Sequence, residues 1–378
     1  MSEKIPFNKP YMAGKELYYI AQSVLSGHTS GDGEFSKKCQ TLFEQTFQAK
    51  KTLLTTSCTS ALEMTALLCD LQPGDEVIVP SYTFVSTVNA FILRDVKPVF
   101  VDIRPDTKNI DEKLIEQAIT HKTKAIVPVH YAGVSCEMDE INSIAKENNL
   151  YVIEDAAQGV NAKYKNQYLG TLGDLGTYSF HETKNFICGE GGALVINKDQ
   201  FIKRAEILRE KGTNRSQFFR GQVDKYTWVD VGSSYVPSDL LAAFLYGQLE
   251  KMNEINVKRE KIYQSYYNAL KPLADKGLIE LPFIPEHCES NYHMFYILLK
   301  DHKQRTDLIQ FLKADNIQAV FHYIPLHSSP MGESLGYEKG LLPVTESISD
   351  CLLRLPFYYE LTELDIERIS QRVSEYFN

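Results

Sequence analysis

The chain has 378 residues, of which 43% are hydrophobic and 24% charged, a composition typical of globular proteins. Its length exceeds one ordinary hydrophobic core, so we expect a large domain and a smaller one. The formal net charge of −9 and the pI near 5.6 argue against general nucleic-acid binding, because a phosphate backbone is bound by a basic surface. A local basic patch could still hold one small anionic ligand.

The sequence favours neither a membrane protein nor a disulfide-stabilised one. No stretch approaches 18 uninterrupted apolar residues, and the start MSEKIPFNKP lacks the basic and then apolar pattern of a signal peptide. We therefore expect a cytoplasmic protein without a membrane partner. The seven cysteines are scattered, odd in number and form no CxxC pair, so we expect neither a disulfide framework nor a metal site.

In the first part of the chain, short β-branched runs alternate with helix-length amphipathic stretches. This alternation predicts a mostly parallel sheet with helices on both faces. The predicted strands cover 51–57, 76–81, 97–103, 124–131, 150–157, 176–181 and 192–197. In such a sheet, ligands gather at the carboxyl ends of the strands. Polar residues follow the strands at these ends: Ser57, Thr59, Ser81, Tyr82, His130, Glu154, Asp155, His181 and Lys184.

Beyond residue 245 the pattern changes. The predicted elements there are a long helix at 247–270, a strand within 293–300, a helix at 304–315 and a strand within 317–326. This pattern predicts a smaller α/β domain joined to the first by a connecting helix. We therefore predict domains of residues 1–246 and 247–378.

Lys184 lies in the stretch SFHETKN, just after a predicted strand. A lone lysine there is usually a solvated surface charge. Lysine, a carboxylate, an aromatic face and a phosphate cradle together suit pyridoxal 5′-phosphate, because its aldehyde reacts with an amine and its ring nitrogen needs an acidic partner. Asp155 is the candidate partner, although either Glu154 or Asp155 alone could be the N-cap of a helix beginning at AAQ.

A hydroxyl-rich turn in TTSCTSALEM (55–64) predicts the phosphate cradle, since a strand runs there into the start of a helix. Helix capping would explain one of Ser57, Thr59 and Ser60, but hardly all three. An aromatic face could come from Tyr82 or Phe84, and either could equally belong to the core.

Three stretches, TSCTSALEM, EDAAQ and SFHETKN with GEGG after it, resemble in combination and order the DegT/DnrJ/EryC1/StrS family of sugar-nucleotide aminotransferases. The resemblance covers nearly the whole chain. It implies a fold type I, aspartate aminotransferase-like enzyme that uses pyridoxal phosphate, with a mostly parallel large domain and a small C-terminal α/β domain. The stretches PGDEVIVPSYTFVST, VPVHYAG, EKGTNRSQFFRGQVDKYTW and VFHYIPLH are similar to family members that aminate C4 of a dTDP-sugar.

The resemblance implies a catalytic role for Lys184 as the residue that binds the cofactor covalently and then carries the proton. Asp155 would partner the ring nitrogen, and Gln158, one helical turn beyond it, would contact the cofactor's 3′ oxygen. His181 and Asn185 would only pack around the lysine or orient it. The turn CGEGG would let the chain enter the next strand without side chains intruding on the site.

The remaining cofactor contacts implied by the resemblance concern the phosphate and the ring face. The phosphate would be held by Thr59, Ser60 and Ser179, with Ser57 beside them, and the aromatic ring of Phe84 would stack on the pyridine.

Two positions depart from the family pattern. Cys58 stands where many relatives have glycine, so the turn could differ. Ser234 stands where relatives often have asparagine, which weakens the case for a phosphate contact from a partner chain.

The segment 211–228 concentrates basic and aromatic residues in an otherwise acidic protein. From these residues alone, a loop that binds a diphosphate and a solvated loop are equally supported. With the resemblance, the substrate-binding residues are Arg215, Arg220, Lys225 and Tyr226, joined from the small domain by His322 and Tyr323. A histidine buried in the core is nearly as well supported at position 322. The resemblance also implies L-glutamate as donor, a dTDP-sugar as acceptor, and a homodimer with shared active sites.

Three other functions compete with this interpretation. A pyridoxamine-dependent sugar dehydratase shares the fold, but in that branch a histidine replaces the lysine, so Lys184 counts against it. A non-catalytic binding protein would not need lysine, aspartate and phosphate loop together. A dinucleotide oxidoreductase would suit the strand–helix alternation, yet no GxGxxG follows the early strands.

Overall fold

The structure is a computed structural model of the chain and describes residues 3–378. The helices are α1 (Glu16–Leu25), α2 (Glu34–Phe47), α3 (Cys58–Leu68), α4 (Val85–Ile92), α5 (Met138–Glu147), α6 (Asp199–Arg209), α7 (Arg215–Phe219), α8 (Asp239–Leu249), α9 (Met252–Asp275), α10 (His302–Ala314), α11 (Pro330–Ser334), α12 (Pro343–Cys351) and α13 (Glu363–Tyr376). The strands are β1 (Lys51–Thr55), β2 (Glu76–Pro80), β3 (Lys97–Val101), β4 (Thr123–Ile126), β5 (Tyr151–Asp155), β6 (Lys163–Tyr164), β7 (Gln167–Tyr168), β8 (Leu175–Ser179), β9 (Gly192–Ile196), β10 (Cys288–Glu289), β11 (Tyr296–Leu298), β12 (Val320–Phe321) and β13 (Leu352–Arg354).

All seven predicted strands belong to one sheet, in the order β1-β9-β8-β5-β4-β2-β3. Only β9 runs against its neighbours, so the mostly parallel sheet is confirmed. The prediction placed the end of β4 too late. This strand ends at Ile126, because Pro128 has no N–H group with which to continue the ladder.

Hydrophobic layers cover both faces of this sheet. Successive strand residues point to opposite faces, so Leu54 and Ile78 belong to one buried cluster and Leu53 and Val77 to the other. Helices α1, α2, α5 and α8 contribute to the first cluster, and α3, α4 and α6 to the second. Burial on both faces explains why these strands read as nearly continuous apolar runs.

The C-terminal part contains a second sheet, in the order β11-β13-β12, with its own buried cluster. The predicted helix at 247–270 is in fact the end of α8 followed, after Glu250 and Lys251, by α9. The predicted strand within 317–326 is reduced to the two residues of β12. The predicted division into domains 1–246 and 247–378 stays a prediction. Helix α9 contributes to two hydrophobic clusters, because Met252 belongs to the first cluster of the large sheet and Ile262 belongs to the cluster of the second sheet.

Within residues 3–378, no helix combines the length and hydropathy needed to cross a bilayer. All seven cysteines are free. In the same part of the chain, no group of three or more His, Cys, Asp or Glu side chains could hold a metal ion.

Candidate active site

The register of the large sheet brings several strand ends together. Gly192 of β9 pairs with Thr55 of β1 on one side and with Ser179 of β8 on the other. On the far side of β8, Thr177 pairs with Asp155 of β5. A cavity of about 620 Å³ opens at this edge of the sheet, and residues of the C-terminal part close it from the other side.

Most of the residues predicted for the site line this cavity: Ser57, Thr59, Phe84, Asp155, Gln158, Ser179, Lys184, His322 and Tyr323. Ser60 does not line it. The Ser60 hydroxyl lies instead 2.8 Å from that of Thr56 and 3.0 Å from that of Ser57. The individual roles of these residues in ligand binding stay predictions.

The Lys184 side chain is half-buried in the cavity. In the part of the chain that the structure describes, its Nζ has neither a hydrogen bond nor an ion pair. Burial lowers the pKa of Lys184; Cys58 and Asp155 oppose this effect, and the positive charge of Arg354 adds to it. A lysine with a lowered pKa is more readily neutral, as a nucleophile or base must be.

Asp155 is buried at the end of β5, where its side chain faces the cavity. One carboxylate oxygen accepts a hydrogen bond of 2.6 Å from the Thr87 hydroxyl, and the other accepts one of 3.1 Å from the Ala157 N–H. The following residues form a turn, so the helix N-cap interpretation of Asp155 is wrong. Gln158 therefore lies in this turn, three residues after Asp155, and not one helical turn beyond it as predicted.

Glu154 points away from the cavity, and each of its two carboxylate oxygens accepts hydrogen bonds from other parts of the protein. It accepts hydrogen bonds of 2.6–2.7 Å from the N–H groups of Gly170, Leu172 and Gly173, and it lies 2.9 Å from His130 Nε2. Glu154 is therefore not a helix cap either. It fixes the loop before β8, while the neighbouring Asp155 remains available to a ligand.

The start of α3 provides hydroxyl and N–H groups at the cavity. Ser57 is the N-cap of this helix, and its hydroxyl accepts a hydrogen bond of 3.0 Å from the Ser60 N–H. Thr59 instead donates its hydroxyl to Ser86 at 2.8 Å. The first turn of a helix leaves N–H groups without a helical acceptor, and those groups attract anions such as phosphate.

Gly192 lets this helix start lie directly against β9. A Cβ atom at this position would be 2.3 Å from the carbonyl carbon of Ser57 and 2.4 Å from the nitrogen of Cys58. In the preceding turn, Gly189 has a φ of +84°, a conformation that favours glycine. The glycines of CGEGG therefore serve both the turn and the close packing beside the predicted phosphate cradle.

The two aromatic candidates have opposite environments. Tyr82 is fully buried and belongs to the core, whereas Phe84 is 57% exposed at the cavity, with its ring centroid 6.5 Å from that of Tyr323. The Tyr323 hydroxyl accepts a hydrogen bond of 3.1 Å from Gln158, whose amide oxygen accepts one of 2.7 Å from the Ala132 N–H. Of the two rings, Phe84 is thus the one available to a planar ligand.

A buried histidine that the sequence analysis missed also lines the cavity. His293 Nδ1 lies 2.8 Å from the amide oxygen of Asn185, whose own NH₂ group donates to the Asn291 carbonyl at 2.7 Å. Burial lowers the pKa of His293 well below its usual value, so the ring is neutral. Asn185 therefore orients His293, and its effect on Lys184 stays a prediction. His181 forms a contact of 2.9 Å to Thr183.

His322 and Arg354 close the cavity from the C-terminal part. His322 Nδ1 lies 3.0 Å from the Tyr131 hydroxyl. Burial lowers the pKa of His322 well below its usual value, and the charges of Arg354 and Lys184 lower it further. Sequence reasoning missed Arg354, although a charged residue inside the apolar run CLLRLPF was an available signal.

The four predicted substrate-binding residues of segment 211–228 lie outside the cavity of their own chain: Arg215, Arg220, Lys225 and Tyr226. Arg215 lies 3.3 Å from Glu210, and Arg220 lies 2.7 Å from Glu206. Tyr226 is 54% exposed. Their role in binding a substrate stays a prediction.

The groups that line the cavity fit pyridoxal phosphate. A lysine without a partner suits its aldehyde, a buried carboxylate suits its ring nitrogen, and a helix start suits its phosphate. Phe84 offers an exposed face to its ring.

Comparison with known proteins identifies the family. Residues 10–374 match the DegT/DnrJ/EryC1/StrS aminotransferase family. The chain is 37% identical over 369 residues to the uncharacterized protein MJ1066 of Methanocaldococcus jannaschii, covering 96% of this chain and 95% of the relative. It is 32% identical over 380 residues to the spore coat polysaccharide biosynthesis protein SpsC of Bacillus subtilis, covering 98% and 96%.

Solved structures agree with this assignment. S. venezuelae DesV is 28% identical, with a TM-score of 0.90 and coverage of 99% of both chains. Spr1654 of Streptococcus pneumoniae in its PMP-form is 26% identical, with a TM-score of 0.91 and coverage of 99% of both chains, and the same protein has also been solved in a PLP-form. The chain therefore belongs to the DegT/DnrJ/EryC1/StrS family, whose members are pyridoxal-phosphate-dependent sugar aminotransferases of fold type I.

Proposed function

We propose that this chain transfers the amino group of L-glutamate to C4 of dTDP-4-dehydro-6-deoxy-D-glucose, giving dTDP-4-amino-4,6-dideoxy-D-galactose and 2-oxoglutarate. The observation that carries the aminotransferase chemistry is the cavity in which the unpaired Lys184 lies beside Asp155. A relative named for spore coat polysaccharide biosynthesis supports a saccharide product. The choice of sugar depends on VPVHYAG, VFHYIPLH and the other stretches similar to C4-aminating members. We expect the reaction to take place in the cytoplasm.

Bound pyridoxal phosphate would supply the aldehyde that accepts the amino group and a ring that withdraws electrons from the reacting carbon. Lys184 would hold the cofactor at rest. Once released, it would take a proton from Cα of the donor and later return one to C4 of the sugar. Its pKa, lowered by burial, makes the neutral base accessible.

The other side chains would hold the cofactor in place for this proton transfer. The carboxylate of Asp155, fixed by Thr87, would keep the ring nitrogen protonated. Phe84 would cover one face of the ring, and Gln158, held by Tyr323, would contact its 3′ oxygen. The start of α3 and Ser179 would bind the phosphate.

The sugar nucleotide would be bound with the help of a second chain. Segment 211–228 carries cations and exposed rings, among them Trp228, 77% exposed, but it does not line its own cavity. Helix α1 also exposes large apolar residues, including Leu17 and Leu25, 62% and 86% exposed. Both features support a homodimer in which each chain lends segment 211–228 to the site of the other.

The first prediction concerns the sugar. With L-glutamate, we expect the enzyme to aminate the 4-keto dTDP-sugar in preference to a 3-keto isomer and to give the axial amine of the galactose configuration. The measurement is NMR assignment of the product, with each ketosugar supplied separately. An equatorial amine, or preferential turnover of the 3-keto isomer, would show that the sugar assignment is wrong while leaving the aminotransferase chemistry intact.

The second prediction concerns Asp155. The variant Asp155→Asn should keep the cofactor but lose roughly a hundredfold or more in kcat, about 1.36 kcal/mol of barrier per factor of ten, because an amide does not hold the ring proton. Steady-state kinetics and the cofactor absorbance measure the two effects. The matched control is Asp275→Asn at the exposed end of α9, which should be unaffected. Near-normal turnover by Asp155→Asn would mean that another residue partners the ring nitrogen.

The third prediction concerns the shared site. Lys184→Ala and Arg220→Ala chains should each be impaired alone and should recover activity when refolded together, because a mixed dimer contains one site with neither change. The recovered fraction is measured after the mixed dimer has been isolated with two different affinity tags. Arg220→Ala must first show a raised KM for the sugar nucleotide. A verified mixed dimer without recovery would assign the segment to the site of its own chain.

A further inference from the structure

Residues 5–11, the N-terminal segment, connect the C-terminal part of the structure to the large sheet. Ile5 belongs to the cluster of the second sheet, and its carbonyl accepts a hydrogen bond of 3.1 Å from the Gln318 N–H. Tyr11 belongs to the first cluster of the large sheet. The Tyr11 carbonyl accepts a hydrogen bond of 3.2 Å from the side chain of Gln248 on α8. The segment is therefore fixed at both ends.

Two side chains of the N-terminal segment contact the turn that carries Lys184. The side-chain NH₂ group of Asn8 donates to the Glu182 carbonyl at 3.1 Å, and the Tyr11 hydroxyl donates to the Asn185 carbonyl at 3.0 Å. In the part of the chain that the structure describes, neither carbonyl accepts another hydrogen bond. One carbonyl precedes Lys184 and the other follows it, so the segment holds the turn on both sides of the lysine.

The hydrogen bond from Tyr11 is the better shielded of the two. Tyr11 and Asn185 are both buried, whereas the bond from Asn8 is exposed to solvent. The Tyr11 ring stacks on that of Tyr359, with centroids 4.4 Å apart and planes inclined by 9°. Burial raises the pKa of Tyr11, so its hydroxyl stays protonated and remains a donor. Without this hydroxyl, the buried Asn185 carbonyl would lose its partner, which is unfavourable.

The side chain of Asn185 is fixed as well, by its contacts to Asn291 and His293. Together with Tyr11, these contacts hold both the backbone and the side chain of Asn185. The adjacent Lys184 differs, because within residues 3–378 its Nζ has neither a hydrogen bond nor an ion pair. A fixed backbone beside a free amine suits a lysine that has to reach more than one reacting atom. Misplacing a reacting group by about 1 Å can slow a reaction roughly 100-fold.

We propose that Tyr11, assisted by Asn8, positions Lys184 for its reaction with the cofactor and for the proton transfer that follows. This inference rests on the proposed aminotransferase function. Tyr11 does not line the cavity, so it would act through the Asn185 carbonyl and not by contact with a ligand. Loss of the Tyr11 hydroxyl would free the turn and misdirect the amine of Lys184.

The first test is the donor half-reaction, in which the cofactor-loaded enzyme reacts with L-glutamate and the cofactor absorbance is followed. Tyr11→Phe keeps the stacked ring and removes only the hydrogen-bond donor. We expect its maximal rate to fall about tenfold to 100-fold, while the half-saturating concentration of L-glutamate stays within about twofold. L-Glutamate deuterated at Cα should show an isotope effect at least as large as in the unmodified enzyme, because proton transfer limits the slower rate. Asn8→Ala, which loses an exposed bond, should be only about threefold slower.

The matched control is Tyr266→Phe. Tyr266 is also buried, and its hydroxyl donates to the Pro356 carbonyl at 2.9 Å, outside the cavity. This variant should lose about as much thermal stability as Tyr11→Phe, because it also leaves a carbonyl without its donor. Its half-reaction should be unchanged. An equal loss of rate in both variants would show that Tyr11 acts only through general stability, and would overturn the proposal.

The second test, hydrogen–deuterium exchange of the turn, needs neither cofactor nor turnover. In the cofactor-free protein, the Lys184 N–H donates to the His181 carbonyl at 2.9 Å. Its exchange should be about tenfold faster in Tyr11→Phe, because the turn opens more often, and unchanged in Tyr266→Phe. If Tyr11→Phe does not fold, Asn8→Ala decides, and unchanged exchange and rate in that variant would overturn the proposal.

The outcomes separate the inference from the function on which it rests. Unchanged exchange or an unchanged rate in Tyr11→Phe would overturn the proposal. A raised half-saturating concentration at an unchanged maximal rate would assign Tyr11 to donor binding and equally overturn it. Failure of the unmodified enzyme to react with L-glutamate would instead contradict the proposed function. In that case the exchange measurement would still decide whether Tyr11 holds the turn of Lys184.

Discussion

The pairing of Gly192 with both Thr55 and Ser179 is the constraint on which the site depends. It aligns the ends of β1, β8 and β9, so that the turn containing Lys184 and the start of α3 meet at one edge of the sheet. The absence of a side chain at Gly192 is what lets Ser57 lie so close. With Asp155 positioned by the pairing of β5 and β8, the cavity contains groups that are far apart in sequence but fixed by backbone hydrogen bonds.

Charge is distributed unevenly around this cavity. The adjacent acids Glu154 and Asp155 point in opposite directions, and only Asp155 faces the ligand space. Lys184 and Arg354 line the same cavity, and neither has a carboxylate within ion-pair distance among residues 3–378. Burial lowers the pKa of both. The cavity is thus suited to anionic ligands, which matches a phosphate-bearing cofactor and the proposed donor, L-glutamate.

The fold could largely be predicted from the sequence, because strands buried on both faces leave long β-branched runs between amphipathic helices. The break between α8 and α9 could not be predicted, since Glu250 and Lys251 carry no helix-breaking signal. Residues near the large-domain strand ends were found because strand order places them together. Arg354 and His293 were missed because their position depends on how the C-terminal part packs over the sheet.

The burial and the hydrogen-bond partners of individual side chains at the site could not be predicted from the sequence either. Tyr82 and Phe84 are alike in type and nearly adjacent, yet one is fully buried and the other exposed at the cavity. Ser57, Thr59 and Ser60 are equally ambiguous, because a hydroxyl at a helix start can cap the helix or bind a ligand. Only the structure shows that Ser60 is engaged with its neighbours and does not line the cavity.

Identification of the lysine that binds the cofactor covalently tests the central claim most directly. The cofactor-loaded protein would be reduced with borohydride and digested, and the modified peptide located by mass spectrometry. The account predicts one reduced adduct, on Lys184, and none in the Lys184→Ala variant. An adduct on a different lysine, or tightly bound cofactor that borohydride does not attach to the chain, would contradict it.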